Sequence, residues 1–141
     1  MPTSEPMTLL DAAAVAASGA GAARGGSARY DGVFGQIGVT TVPVGGASTL
    51  DVYIQATADG GTTWRDVAAR RFTAAGVQFF QLGQYTTTGT STLAASDCDL
   101  ASGVQVQGPF GDRLRVKYAI ALNGDTGFFT FGVTCALNGG A

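Results

Sequence analysis

The chain has 141 residues, one domain's worth, enough to bury roughly two thirds of its unfolded surface in a single core; disorder is excluded as its main state. Charged residues are only 13% of it, the net charge is −2 and there is no His, so it lacks the basic footprint of a nucleic-acid or anionic-lipid binder and the commonest metal ligand and general base. With 22 glycines, more than twice the usual share of about 7% and without a period of three, the chain must turn often. A surface this poor in charge is either covered by Thr, Gln, Ser and Asn or partly buried against other subunits.

Taken in chain order, the first 26 residues are rich in Ala and Gly and contain no aromatic side chain. Thr8 followed by Asp11 has the pattern of an N-cap with an acid in the first turn, and the Ala-rich run to Ser18 before Gly19 predicts a helix of about three turns. Such a helix is too short to persist alone, so it needs a surface to dock on. Leu9, Leu10 and Val15 are its apolar contacts, and a neighbouring subunit is the expected surface. Residues 7–23 superficially resemble a secretory leader, but no basic residue precedes them, Glu5 does, and Asp11 interrupts the apolar run, so no leader is expected. No stretch approaches the ~20 apolar residues of a membrane-spanning helix.

From residue 27 onward the period is two. In 49–57 Leu50, Val52, Ile54 and Ala56 alternate with Asp51, Tyr53 and Gln55; in 113–122 Leu114, Val116, Tyr118, Ile120 and Leu122 alternate with Arg113, Arg115 and Lys117; in 129–137 Phe129, Phe131, Val133, Cys135 and Leu137 share one face. Weaker strands are predicted over 29–33, 34–44, 66–73, 77–85 and 104–110. The expectation is an all-β protein: a single antiparallel sandwich of about eight strands over 27–141, preceded by an arm or short helix over 1–26. Asn123-Gly124 predicts a hairpin, since both central residues of a type I′ turn need positive φ. Asp59-Gly60-Gly61 predicts another, and a turn is read at 108–112. The polar segment 86–103 is too long for a hairpin and reads as a functional excursion or a crossover between sheets.

The stretch Thr57-Ala-Asp59-Gly-Gly61-Thr-Thr63-Trp64 resembles the Asp-box hairpin of sialidases and related propellers, with Thr57 in place of Ser. One box without the rest of that architecture is a structural turn: Asp59 accepts backbone N–H groups of its own loop, the glycines take positive φ, and Trp64 packs over the hairpin. Cys98 and Cys135 match no metal or redox spacing and are expected as free thiols, Cys135 on an apolar strand face. Asp97 and Asp99 lack the ligand series of a calcium loop. Arg113, Arg115 and Lys117 form a basic stripe, with Arg70 and Arg71 as possible neighbours, which is either a solvated strand face or a contact for an acidic partner. No nucleophile elbow, phosphate loop, dinucleotide fingerprint or carboxylate pair occurs, and Glu5 is the only Glu, so no enzyme, cofactor or metal site is expected.

The succession of "TLLDAAAVAASGAG", "LDVYIQATADGGTTWRDV", "DRLRVKYAI", an "NGDTG" turn and a closing aromatic-Thr strand resembles the capsid decoration, or cement, proteins of tailed bacteriophages, over most of residues 8–137. The resemblance implies a β-sandwich, often jelly-roll-like, that assembles in the host cytoplasm as a homo-oligomer, a dimer before a trimer. It would bind the major capsid protein on the outer surface of the virion head and cement adjacent capsomers, with neither nucleic acid nor membrane as partner. The alternative is a carbohydrate-binding, head-fibre or neck domain that uses Tyr53, Trp64 or Tyr85 as a sugar platform.

Overall fold

The computed structural model describes residues 4–27, 30–83, 98–105 and 111–139. Nine strands run in chain order: β1 (Ser4–Val15), β2 (Gly19–Ala20), β3 (Arg24–Gly25), β4 (Gly32–Thr41), β5 (Thr49–Thr57), β6 (Arg65–Phe72), β7 (Gly76–Gly83), β8 (Arg113–Ala121) and β9 (Phe129–Asn138). They form two antiparallel sheets, sheet I in the order β1-β9-β4-β7 and sheet II in the order β2-β8-β5-β6, with β3 also on β8. The chain passes from sheet to sheet at every connection except β2–β3 and the β5–β6 hairpin. This is the double Greek-key order of a jelly roll.

Period two accounts for the core. Leu50, Val52, Ile54, Leu114, Val116, Phe129, Phe131 and Val133 are all buried between the sheets. Tyr118 and Ile120, towards the end of β8, are partly buried against them. Tyr118 meets Phe131 of the opposite sheet edge to face, with ring centroids 5.2 Å apart, a geometry that suits the opposed charge of ring face and ring edge. The break predicted between 33 and 34 does not exist: Gly32–Thr41 is the single strand β4, a continuity that the glycines at 35 and 38 disguise, while residue 29 lies outside the described residues. A Cβ at Gly35 would collide with the Phe80 ring, so the missing side chain is the space that the ring fills.

The N-terminal segment departs from expectation. It is a strand, not a helix: β1 pairs with β9 from Ser4↔Asn138 to Val15↔Phe129, with bulges between Thr8 and Leu10 and between Leu10 and Ala13. The physical reason is competition. A lone short helix is marginal in water, whereas β9 offers an open row of N–H and C=O groups that a strand satisfies. Leu9 is 1% exposed and belongs to the core, with Leu10 and Val15 packed against it. Leu9 therefore serves the core of its own domain. Beyond β1 the chain crosses to sheet II, where β2 and β3 line the free edge of β8, and the Tyr30 hydroxyl donates to Glu5 Oε2 at 2.6 Å. Residues 4–25 thus close one flank of the sandwich.

Residues 101–105 close the other flank. Gly103 N–H donates to Ala69 O and Ala69 N–H to Val104 O, extending sheet II past β6. Arg70 Nε donates to Phe79 O, and the Gln105 amide both accepts from Gln81 N–H and donates to Gln81 O, which blocks the outer edge of β7. The predicted strand 104–110 is described only to Gln105, which makes one bridge to Ala68. Residues 108–110 of the predicted turn, Tyr85, Asp97 and most of the 86–103 segment lie outside the described residues. Since β7 and β8 sit in different sheets, the chain between them does cross from one to the other.

Candidate interaction surfaces

The 57–64 turn forms as the sequence suggests. The Thr57 hydroxyl donates to Asp59 Oδ1 at 2.7 Å and accepts Gly61 N–H, while Asp59 Oδ1 also accepts the N–H groups of Thr62 and Thr63 at 3.1 and 2.9 Å. The Thr63 and Thr57 hydrogen bonds hold the Asp59 carboxyl down at about 2. Gly60 and Gly61 have φ of 75° and 105°, and Trp64 Nε1 donates to Gly61 O at 3.0 Å. Trp64 is half-buried, with the Arg115 guanidinium carbon 4.1 Å from its ring centroid, a cation–π contact. One ring face and the indole N–H are therefore already engaged within the chain.

The rest of the outer face of sheet II reads row by row across β8, β5 and β6. In the first full row Arg115 Nε donates to Gln55 Oε1 at 2.7 Å and Gln55 Nε2 donates to Asp66 Oδ1 at 2.8 Å. Asp66 also accepts the backbone N–H groups of Cys98, Asp99 and Leu100. Gln55 and Asp66 are 0% and 1% exposed, although strand alternation aims them away from the core; residues 98–100 form their cover. In the next row Tyr53 lies between Lys117 and Ala69, and in the third Arg71 makes a two-pronged bridge to Asp51 at 2.7 and 2.9 Å. The basic stripe is therefore uneven. Arg113 is exposed at one end of β8, Arg115 and Lys117 are half-buried, and Arg70 and Arg71 point to β7 and Asp51 instead of joining it.

Sheet I turns a different face outward. Across β7, β4, β9 and β1 its outward rows are Gln81, Phe34, Ala136 and Pro6; then Phe79, Gln36, Thr134 and Thr8; then Val77, Gly38 and Gly132, over which the β1 bulge lays Ala12. No Asp, Glu, Lys or Arg occurs in β4, β7 or β9. Phe34 and Phe79 stack at 5.6 Å and, with Val77, are each about half exposed. Sequence reasoning missed this patch. Its signal is an aromatic residue out of phase in each of two strands, Phe34 beside Val33 and Phe79 beside Phe80.

The third surface is one end of the sandwich, where the β4–β5 and β8–β9 connections meet. Asn123 and Gly124 both have positive φ, as expected, but the turn carries the chain from sheet II to sheet I and closes no hairpin ladder. Val44 and Thr126 exchange backbone hydrogen bonds. Asp125 Oδ2 accepts from Ala47 N–H, Ser48 N–H and the Ser48 hydroxyl at 2.6–2.7 Å, bonds that also lower its pKa. A Cβ at Gly45, where φ is 134°, would strike that carboxylate. On this locked tip Val44 is 78% exposed and Phe128 46%.

Among the described residues no group of three or more His, Cys, Asp or Glu is assembled, and no helix is long and apolar enough to cross a membrane. Cys135 is buried, which pushes its thiol up to about 11, and Cys98 is half-buried in the cover over Asp66 with φ of 61°. Comparison of the chain with protein-family models, curated proteins and solved structures finds no match.

Proposed function

We propose that the protein is a structural component of a bacteriophage virion that binds the outer surface of the capsid and cements adjacent capsomers. The observation that carries the reading is the locked tip. Large apolar side chains on loops already fixed by hydrogen bonds lose little freedom on docking, so their burial translates into affinity. A jelly roll with both flanks closed by its own chain is a stiff body suited to bridging subunits, and the resemblance of the sequence to decoration proteins names the kind of partner. On a repeating shell such contacts need only be modest individually, since oligomerisation adds avidity. A sugar platform has less support, because Trp64 gives one ring face to Arg115 and its N–H to Gly61.

The test is co-sedimentation with shells assembled from the cognate major capsid protein. Wild-type protein is expected to pellet with shells to a saturable ratio, and the Val44→Asp, Phe128→Ser double variant to stay in the supernatant with an unchanged melting temperature. Wild-type protein that never pellets would overturn the reading, as would a double variant that pellets equally well.

A further inference from the structure

We propose that the outer face of sheet I is the docking surface for a second copy of the chain, face to face, about a two-fold axis parallel to the strands between β4 and β9. Two properties of the face select that occupant. The first is charge. The only charged residues of sheet I are Glu5 and Asp11, both on the edge strand β1. Two such faces meet with no cation or carboxylate from β4, β7 or β9 between them, whereas the outer face of sheet II would bring Arg113 and Lys117 onto uncharged atoms.

The second property is relief. The half of the face on β7 and β4 is bulky, with Phe34, Phe79 and Val77. The half on β9 and β1 is flat, with Gly132, Ala136 and Ala12. The stated axis lays each bulky half on the other copy's flat half, so Phe34 faces Ala136 and Phe79 faces Thr8, each contact occurring twice as an isologous interface requires. Four strands ~4.8 Å apart and about eight residues long present about 500 Å² in projection. Side-chain relief adds to this, against about 800 Å² per partner in a standard interface, so the dimer belongs at the weaker end of the stable class. It leaves the tips of both copies free and side by side at one end, which would make the dimer a two-pronged clamp.

The experiment is sedimentation equilibrium of the full chain, without shells, at tens of micromolar, for wild type, Phe34→Asp, Ala136→Arg and an equimolar mixture of the two variants. Wild type is expected to dimerise. Each variant alone should associate about a hundredfold more weakly, because it buries unpaired charge twice per dimer. The mixture should recover a heterodimer, with one Asp–Arg pair and one native Phe34–Ala136 contact. Both positions point outward, and melting curves verify the fold; Phe34→Ala removes the ring without adding charge and should weaken the dimer less. A monomeric wild type, a dimer indifferent to both charges, or variants that do not recombine would overturn the proposal. So would a monomer whose shell binding is lost on Phe34→Asp, which would assign the face to the capsid protein. Because no shells are present in the association measurement, its failure is distinct from failure of the capsid reading.

Discussion

On the outer face of sheet II two polar side chains, Gln55 and Asp66, are buried beneath a loop, whereas on the outer face of sheet I two phenylalanines, Phe34 and Phe79, stand half in water. Polarity alone would predict the reverse. The difference lies in what each face has been given to bond with: Asp66 receives the Gln55 amide and three backbone N–H groups, so its burial leaves no acceptor empty, while Phe34 and Phe79 stack on each other. Sheet II has spent its outward side chains on holding its own chain together. Sheet I leaves large apolar side chains on its outward face half exposed.

Asp66→Ala breaks this contrast most severely. It strands the Gln55 amide and the N–H groups of residues 98–100 in a buried site, and should cost about 3–5 kcal/mol, read from denaturant midpoints, with early proteolysis between β7 and β8. Trp64→Ala should cost about 2 kcal/mol, below the ~3–5 of a fully buried ring, because the indole is only half-buried over its turn. Asp59 sharpens the contrast by pH. Its folded value of about 2 lies below the ordinary 3.8, so the stability it contributes is complete above about pH 4 and is lost as pH falls through the folded value. Urea midpoints across that window should fall in the wild type, and Thr57→Val, which removes the hydroxyl donor to Asp59, should move the fall to higher pH. Smallest of all, Phe79→Ser on sheet I should change stability by no more than about 0.5 kcal/mol; a large loss would mean that the ring belongs to the fold.

The parts of the fold legible in the sequence are those where side-chain period and local turn chemistry agree. Leu50 to Ala56, Leu114 to Ile120 and Phe129 to Leu137 alternate cleanly and face the core, and the Asp59 turn is written in eight adjacent residues. The N-terminal strand was hidden for three reasons. Ala is the best helix former, and the bulges at Leu10 and Ala13 disrupt the alternation that would have revealed a strand, while the partner that decides the matter, β9, lies more than a hundred residues away. The Gln55–Asp66 pair was hidden because a polar residue out of phase with the core reads as solvated until its cover is known. Phe34 was hidden because Gly35 and Gly38 blur the period of β4, and Phe79 because it adjoins the core-facing Phe80 in β7.

The charged sheet is expected to serve the protein's own stability, and the uncharged sheet and the locked tip to serve partners. A cryo-EM map of shells saturated with the protein tests this most directly. The expected density shows pairs of copies in contact through sheet I, the tips around Val44 and Phe128 seated on the shell, and the Asp66 face of sheet II turned to solvent. A map with single copies, or with sheet II against the shell, would contradict it.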